Sequence, residues 1–401
     1  MERKLFLIIL MLCCSLFIAG CWNSREIDQL AFVMGIGLDK TQEGNIKITV
    51  QVAKPSTFSK SPSGGSDNEK SFWVASSEGK TIFEAIRNMA TFSSRRIFWA
   101  HNKVIIIGEK MARDDISEIL DFFCRNPELR LRTWIAVTPG EAGKILEREP
   151  GMEKDPSSAI ENVINQTVWT GKCYRVMLKD FLEDYLSTAT YPVAARIVSK
   201  DDSSNIKMSG SAVFNQNKLA GWLNEKETRG LLWLKGQLSS SIMVIPCPLD
   251  GRPLSIELIG SKADIKSEFD GQIPRFTVDA LASGNLSEQA CQTDFTNMDN
   301  LRKLEKALAS AIKDDLESVT KAAQTGIGLD FPGYNHYLHR QHKDRWHELV
   351  EKWPGLFKKA DIIIHVKAMI PRETLFARPL NPVKHNNVNK IRIEASNEIT
   401  R

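Results

Sequence analysis

Residues 262–281 read KADIKSEFDGQIPRFTVDAL, two alternating runs separated by Asp270-Gly271. Ala263, Ile265 and Phe269 share one side before the break, and Phe276, Val278 and Ala280 share one side after it. Asp-Gly between alternating runs is a strong hairpin signal, because the tight turn that suits twisted strands needs the positive φ these residues tolerate. Upstream the pattern stays strand-rich: Lys207–Phe214, a turn at Asn215–Asn217, Leu219–Leu223, Ile242–Pro246 and Ser255–Ile259. Downstream, Asp299 or Asn300 is placed to cap a helix running to about Gln324. Its Leu301, Leu304, Leu308, Ala311, Ile312, Leu316 and Val319 form one apolar stripe. Such a stripe suits packing on the adjacent sheet, with a coiled coil as the less common alternative. Asp361–Ile370 reads as a late strand. Strands and helices segregated in this way predict an α+β arrangement rather than a doubly wound sheet.

A polar break at Ser199–Asn205 (SKDDSSN) separates this region from a mixed α/β first half. There Ala31–Leu38 and Ile46–Ala53 read as strands about a polar connection containing Gly44. In the second of them Ile46, Ile48, Val50 and Val52 alternate with polar partners, the pattern of a half-buried strand. Pro55–Lys70 (PSTFSKSPSGGSDNEK) is a loop by composition. Thr81–Phe92 places Ile82, Phe83, Ile86, Met89 and Ala90 on one helical face. Lys103–Gly108 follows as a buried-type strand, Asp114–Phe123 as a helix, Arg132–Val137 as a strand, and Pro139–Arg148, Ala159–Val168 and Leu178–Thr188 as helices. The expected organisation is a leader at 1–20, a mixed α/β domain at 21–200, an α+β region at 205–375 with a further division near 270–300 left open, and a polar tail at 376–401.

The leader rests on Glu2-Arg3-Lys4, the apolar run Leu5–Ile18, and Ala19-Gly20 before Cys21. A charged start, a short apolar stretch and small residues before a cleavage point define an export signal. The apolar run is too short to span a bilayer as a permanent helix, which takes about 20 residues. Ile18-Ala19-Gly20-Cys21 also matches the bacterial lipobox, in which the Cys thiol takes a diacylglyceryl group and becomes the first mature residue. Cys21 is thus the expected lipidation site. Two or three acyl chains, at about 0.8 kcal/mol per buried methylene, give stable anchoring where one gives marginal binding.

The 401 residues carry 53 Lys plus Arg against 49 Asp plus Glu, a net +4. Loss of residues 1–20 removes two basic and one acidic residue and leaves +3. That balance excludes a protein built mainly to neutralise nucleic-acid phosphates. Cys124, Cys173, Cys247 and Cys291 are too widely spaced for a zinc ribbon or a CxxC redox site. Their number permits disulfides, lone thiols are equally compatible, and spacing alone assigns no pairing. Gly35-Ile36-Gly37 follows a strand but lacks the third glycine and the helix of a dinucleotide fingerprint, so it reads as glycines that bend a strand or let backbones approach. His336, His339 and His342, with His347 nearby, are the best metal candidates, yet Arg340, Lys343 and Arg345 are interleaved and disfavour a dication. No metal, cofactor or catalytic set is therefore expected. Arg125, Glu128 and Arg130 of the Phe122–Arg130 block, with Arg132 just beyond it, read either as an ion-paired corner or as a recognition surface. Arg95-Arg96 before Ile97-Phe98-Trp99 suits anionic headgroups or a protein.

Taken in order, these segments resemble the Ger(x)C family, the C subunits of bacterial spore germinant receptors. Cys21-Trp22-Asn23-Ser24-Arg25-Glu26-Ile27-Asp28 runs straight on from the lipobox, then Gly35-Ile36-Gly37-Leu38-Asp39-Lys40, Arg95–His101, Lys103–Gly108 and the Phe122–Arg130 block. Gly210-Ser211-Ala212-Val213-Phe214 and Glu227-Thr228-Arg229-Gly230-Leu231-Leu232-Trp233-Leu234 continue the pattern. The resemblance implies a family-specific fold of two to three mixed α/β domains and an extracytoplasmic lipoprotein of the spore inner membrane. It implies assembly with membrane A and B subunits that trigger germination in response to nutrients, and no catalytic residue. Whether this subunit touches the nutrient is left open. The alternative is a solute-binding lipoprotein of a membrane transporter, which calls for two lobes of alternating strands and helices; residues 205–375 lack that alternation.

Overall fold

The computed structural model describes residues 3–6, 26–54, 70–149, 151–199, 205–270 and 273–371. Cys21, most of the 1–20 leader, the 55–69 loop, Gly271 and the 376–401 tail lie outside the described residues. The chain forms two compact units, one of Met1–Asn162, Met177–Asp180 and Val198–Lys207, the other of Val163–Val176, Phe181–Ile197 and Met208–Arg401.

In the first unit a short 3-10 turn, Ile27–Gln29, leads into β1 (Leu30–Lys40), followed by β2 (Ile46–Ala53) and β3 (Phe72–Gly79). Next come α1 (Ile82–Met89), β4 (Arg96–Phe98), β5 (Val104–Gly108), α2 (Glu109–Asp114), α3 (Ser117–Arg125), β6 (Trp134–Thr138), α4 (Ala142–Leu146) and the start of α5 (Pro156–Gln166). The strand order is β3-β2-β1-β5-β6, with β4 beside the first residues of β1. β2 is antiparallel to both β1 and β3, whereas β1, β5 and β6 run parallel. Val104, Ile105, Ile106 and Ile107 of β5 are all buried, as an unbroken apolar strand covered on both faces must be.

β2 departs from the half-buried pattern its alternation predicts. Its polar residues Thr49 and Gln51 are buried too, because helical segments cover the second face of the sheet. Thr49 Oγ1 meets Ser76 Oγ at 2.8 Å, and Gln51 Oε1 accepts the Ser157 N–H at 3.0 Å as well as its hydroxyl. Gly37 makes the covering possible. A Cβ there would lie 3.1 Å from the Ala142 carbonyl carbon and 3.2 Å from the Gly143 nitrogen, and one on Gly35 would overlap Ser157 Oγ. The two glycines therefore seat α4 and α5 on β1, the close approach expected of them. The helix expected over 114–123 is α3, which starts three residues later at Ser117; α2, ending at Asp114, is a further short helix that the sequence reading did not place.

The second unit takes up most of α6 (Leu178–Leu186), β7 (Val193–Ser199) and β8 (Ile206–Asn215), then β9 (Lys218–Leu223), α7 (Glu225–Leu234), β10 (Ser241–Pro246), β11 (Pro253–Asp270) and β12 (Ile273–Gln289). The long α8 (Met298–Lys321) runs on through a π turn, Ala322–Gly326, before α9 (Tyr334–Gln341), α10 (Lys343–Leu349), α11 (Trp353–Phe357) and β13 (Asp361–Met369). A four-stranded sheet has the order β10-β11-β12-β13. The predicted hairpin is present, pairing Ile265 with Val278 and Phe269 with Pro274. β11 is one strand of 18 residues where the sequence reads as two pieces. The register shifts between Leu258 and Gly260, so the buried side passes from Leu254, Ile256 and Leu258 to Ile265 and Ser267. A bulge shifts the phase of the alternation, and a two-residue period cannot be followed across it.

The α8 stripe is buried at Leu301, Leu304, Leu308, Ile312, Leu316 and Val319, and α8 packs on β13 and α7. Its cap is Asn297, one turn-start earlier than expected: the side chain accepts the N–H of Asp299 at 2.9 Å and of Asn300 at 3.3 Å. The segment Glu227–Leu234 is the face of α7 against α8. A Cβ on Gly230 would overlap the Asp315 carbonyl oxygen, and Arg229 forks onto the Asp315 carboxylate at 2.6 and 3.1 Å. The fold is thus a multi-domain mixed α/β structure of the α+β kind.

Candidate functional site

In the first unit α1 and α3 flank a groove of 1120 Å³ floored by residues 93–97 and Trp99. Thr81 starts α1: its Oγ1 accepts the Glu84 N–H at 3.1 Å while Glu84 returns a carboxylate oxygen to the Lys80 N–H at 2.7 Å. Ile82, Ala85 and Met89 point inward from α1, and Ile119, Leu120 and Phe123 from α3. This leaves Phe83, Ile86, Arg87, Asp121, Phe122 and Arg125 lining the groove. Phe83 is a correction. Grouped by periodicity with the core face, it is 56% exposed, since the buried stripe of an eight-residue helix is narrower than the apolar arc of its sequence.

The two arginine-bearing segments that the sequence presents 30 residues apart meet in this groove. Arg96 pairs with Glu128 at 2.8 Å, and Arg125 with Asp121 at 2.7 Å, so ion-paired corner and surface groove are the same place. Arg125 holds the Asp121 carboxyl below the usual carboxylate range. The Arg87 guanidinium stands over the Phe83 ring at 4.8 Å. Cys124 on α3 is an exposed free thiol, yet desolvation and Asp121 push it up, so it is not an activated nucleophile. Cys173 is buried and pushed up to about 12 by desolvation, an inert thiol.

A second cleft, of 640 Å³, lies at the carboxyl ends of β1, β5 and β6. Lys40 pairs there with Asp114, Arg113 with Glu109 at 2.7 Å and Lys144 with Glu141 at 3.1 Å, and Lys47, Glu78 and Lys110 complete its charged lining. Asp39 is buried there and accepts the N–H groups of Ala142 and Gly143 at 2.7 and 2.9 Å. Burial raises its carboxyl, and those two hydrogen bonds oppose the rise.

In the second unit the histidines serve separate neighbours. His339 stacks on Trp346 at 5.4 Å, His342 Nε2 lies 2.9 Å from the Ser267 carbonyl, and burial lowers His336. Cys247 and Cys291 are bonded to each other, with 6.5 Å between their Cα atoms, a pairing that 44-residue spacing could not reveal. Asp250 sits close enough to both sulfurs for a shared ion, but a bonded pair offers no thiolate. Sequence reasoning also missed Asp330. Its buried carboxylate accepts N–H groups from Gly333, Tyr334 and Asn335 and the indole of Trp353, and burial pushes it up to about 7 against those bonds. The signal was local: an Asp three residues before the glycine that opens α9.

Among the described residues no helix is long and apolar enough to cross a membrane. What the first unit presents is a surface groove lined by aromatic rings and arginines. Two family models match the chain, one for a spore germination protein N-terminal domain over residues 23–199, the other described as spore germination B3/GerAC like, C-terminal, over residues 209–373. The chain belongs to this Ger(x)C family of spore germination proteins. It is 26% identical to spore germination protein B3 of Bacillus subtilis over 363 residues, covering 89% of this chain and 93% of that protein. Identity to spore germination protein KC of the same organism is 24%, covering 96% and 99%. The crystal structure of the GerBC protein superposes with a TM-score of 0.55 at 21% identity, covering 86% of this chain and 99% of that one, a likeness of fold.

Proposed function

We propose that this protein is the lipid-anchored C subunit of a spore germinant receptor, acting without catalysis in a complex with membrane A and B subunits. The observation that carries this reading is the pair of spore germination family models, which together span both halves of the chain. Relatives named as spore germination proteins align over nearly their full lengths, so the role extends to the whole chain rather than to a shared module. The anchor is Cys21, acylated behind a lipobox, and it holds the body on the outer face of the spore inner membrane. A transporter-linked solute-binding protein would alternate strand and helix in two lobes; β10 to β12 instead form a run of antiparallel strands.

Two measurements test this. Deleting the gene should abolish or slow germination towards at least one nutrient in a panel, with solute uptake unchanged; normal germination with altered uptake overturns the reading. A clickable fatty-acid analogue should label the wild-type protein and fail to label Cys21→Ala; equal labelling of both removes Cys21 as the anchor.

A further inference from the structure

We propose that the groove end of the first unit is a membrane-facing surface that docks on anionic phospholipid headgroups. The inference rests on the Cys21 anchor. Glu26 is five chain steps from Cys21, so even a fully extended tether holds Glu26 within about 18 Å of the acylated residue. Four residues later β1 begins, and its first residues pair with the groove floor: Leu30 with Arg96, Ala31 with Ile97 and Phe32 with Phe98. The groove is therefore built onto the end of β1 nearest the tether. The turn that follows Lys40 lies at the opposite end of the strand, about 35 Å away for eleven residues.

Chemistry separates the two ends. Beside the tether, Ile27, Phe83 and Phe92 are 72%, 56% and 53% exposed. Phe92 leans on Trp73, whose strand partner Val52 pairs with Val33 of β1, which puts it on the same side as the groove. The groove carboxylates Asp121 and Glu128 are neutralised by Arg125 and Arg96, and Glu84 is turned back to the Lys80 N–H. Arg87, stacked on Phe83, and Arg95, which has no carboxylate partner among the described residues, remain free to meet phosphate; Glu118 is the one acidic side chain of the lining left beside them. Rings set beside arginine stems place apolar bodies at the acyl boundary and cations at the headgroups. At the far end, the cleft around Asp39 has no exposed large apolar residue in its lining, and its cations, Lys47 and Lys110 included, stand beside Asp39, Glu78, Glu109 and Glu141 rather than beside exposed rings. A peptide partner would also fit the groove, but a lipid surface accounts for exposed rings set beside arginines at the end of β1 where the tether leaves.

The test uses the full-length protein reconstituted in vesicles of phosphatidylglycerol and phosphatidylethanolamine. In a Cys124→Ser background, Cys173 is buried and Cys247 is bonded to Cys291, so a fluorophore can be placed at Phe83→Cys or at Glu43→Cys beyond the far end of β1. The Phe83 probe should be quenched by brominated lipid and the Glu43 probe should not. The docked-to-free ratio should fall about fivefold for each of Arg87→Gln and Arg95→Gln. Equal quenching at both positions, or arginine variants identical to the parent, overturns the proposal. Quenching-resistant probes that become protected only with a co-reconstituted membrane protein overturn it too, and assign the groove to that protein. The intact mass of the same preparation reports acylation of Cys21, so failure of the anchor is read separately from failure of this surface.

Discussion

The Asp330 carboxylate accepts the Trp353 indole N–H at 3.0 Å, joining the loop before α9 to α11 inside the second unit. Three backbone N–H groups complete the set, so four donors depend on one buried side chain. Asp330→Ala should therefore cost about 3 kcal/mol, the penalty of leaving several buried donors without an acceptor. Urea unfolding of the full chain measures it, and a loss below half that value would mean water replaces the carboxylate.

The same group predicts a pH dependence. Burial pushes its folded pKa up to about 7 from an ordinary 3.8, so between those values the folded state holds more proton than the unfolded state. Stability from this site is full below the unfolded value and is lost as pH rises through the folded one. The urea midpoint of the wild type, relative to Asp330→Asn, should fall between pH 4.5 and 7.5. A rise in that difference would show that the four donors outweigh burial.

Arg229 and Asp315 supply a second test. The pair is bidentate, with side chains 15% and 2% exposed, and burial raises Asp315 while Arg229 pulls it down. Arg229→Met alone should destabilise by about 3–5 kcal/mol because it strands a buried carboxylate, and adding Asp315→Leu should restore most of the loss. A double variant no better than the single would show that α7 and α8 need the pair itself. Gly230→Ala should also destabilise, although alanine gains about 1 kcal/mol in helix propensity, since its Cβ meets the Asp315 backbone oxygen.

These sites mark where the sequence was readable. Period-2 and period-3.6 patterns carried the hairpin at Asp270-Gly271, the α8 stripe and the β5 run, because each depends on residues adjacent in the chain. Phase changes escaped them: the bulge at Ile259 made β11 look like two strands, and Gln51 looked solvent-facing until Ser157, 106 residues on, supplied its partner. The groove was half legible. Both arginine segments stood out, but only tertiary pairing of Arg96 with Glu128 joins them, and no local pattern encodes that.

Cys247 and Cys291 enclose a loop of 44 residues that contains β11 and β12. In the chain-entropy treatment a bond closing such a loop stabilises by about 4 kcal/mol. Replacing both cysteines by Ser should lower the urea midpoint accordingly, and adding reductant to the wild type should reproduce the shift. No effect of reductant on a fully accessible, unfolded-then-refolded sample would mean the two sulfurs stay as thiols.

Gly37→Ala tests whether the glycine pair near the start of the chain is structural. An alanine within a strand ordinarily gains stability by restricting the unfolded chain, by about 0.4–1 kcal/mol. Here the added carbon would press on the backbone of Ala142 and Gly143, the residues whose N–H groups Asp39 holds. Overpacking against backbone costs about 1–3 kcal/mol and should win. The amides of Ala142 and Gly143 should then exchange with deuterium faster than in the wild type, while those of β5 stay protected. Slower exchange at Ala142, or a stabilised protein, would show that α4 can shift to admit the methyl group, and that Gly37 is not what fixes the helix on the sheet.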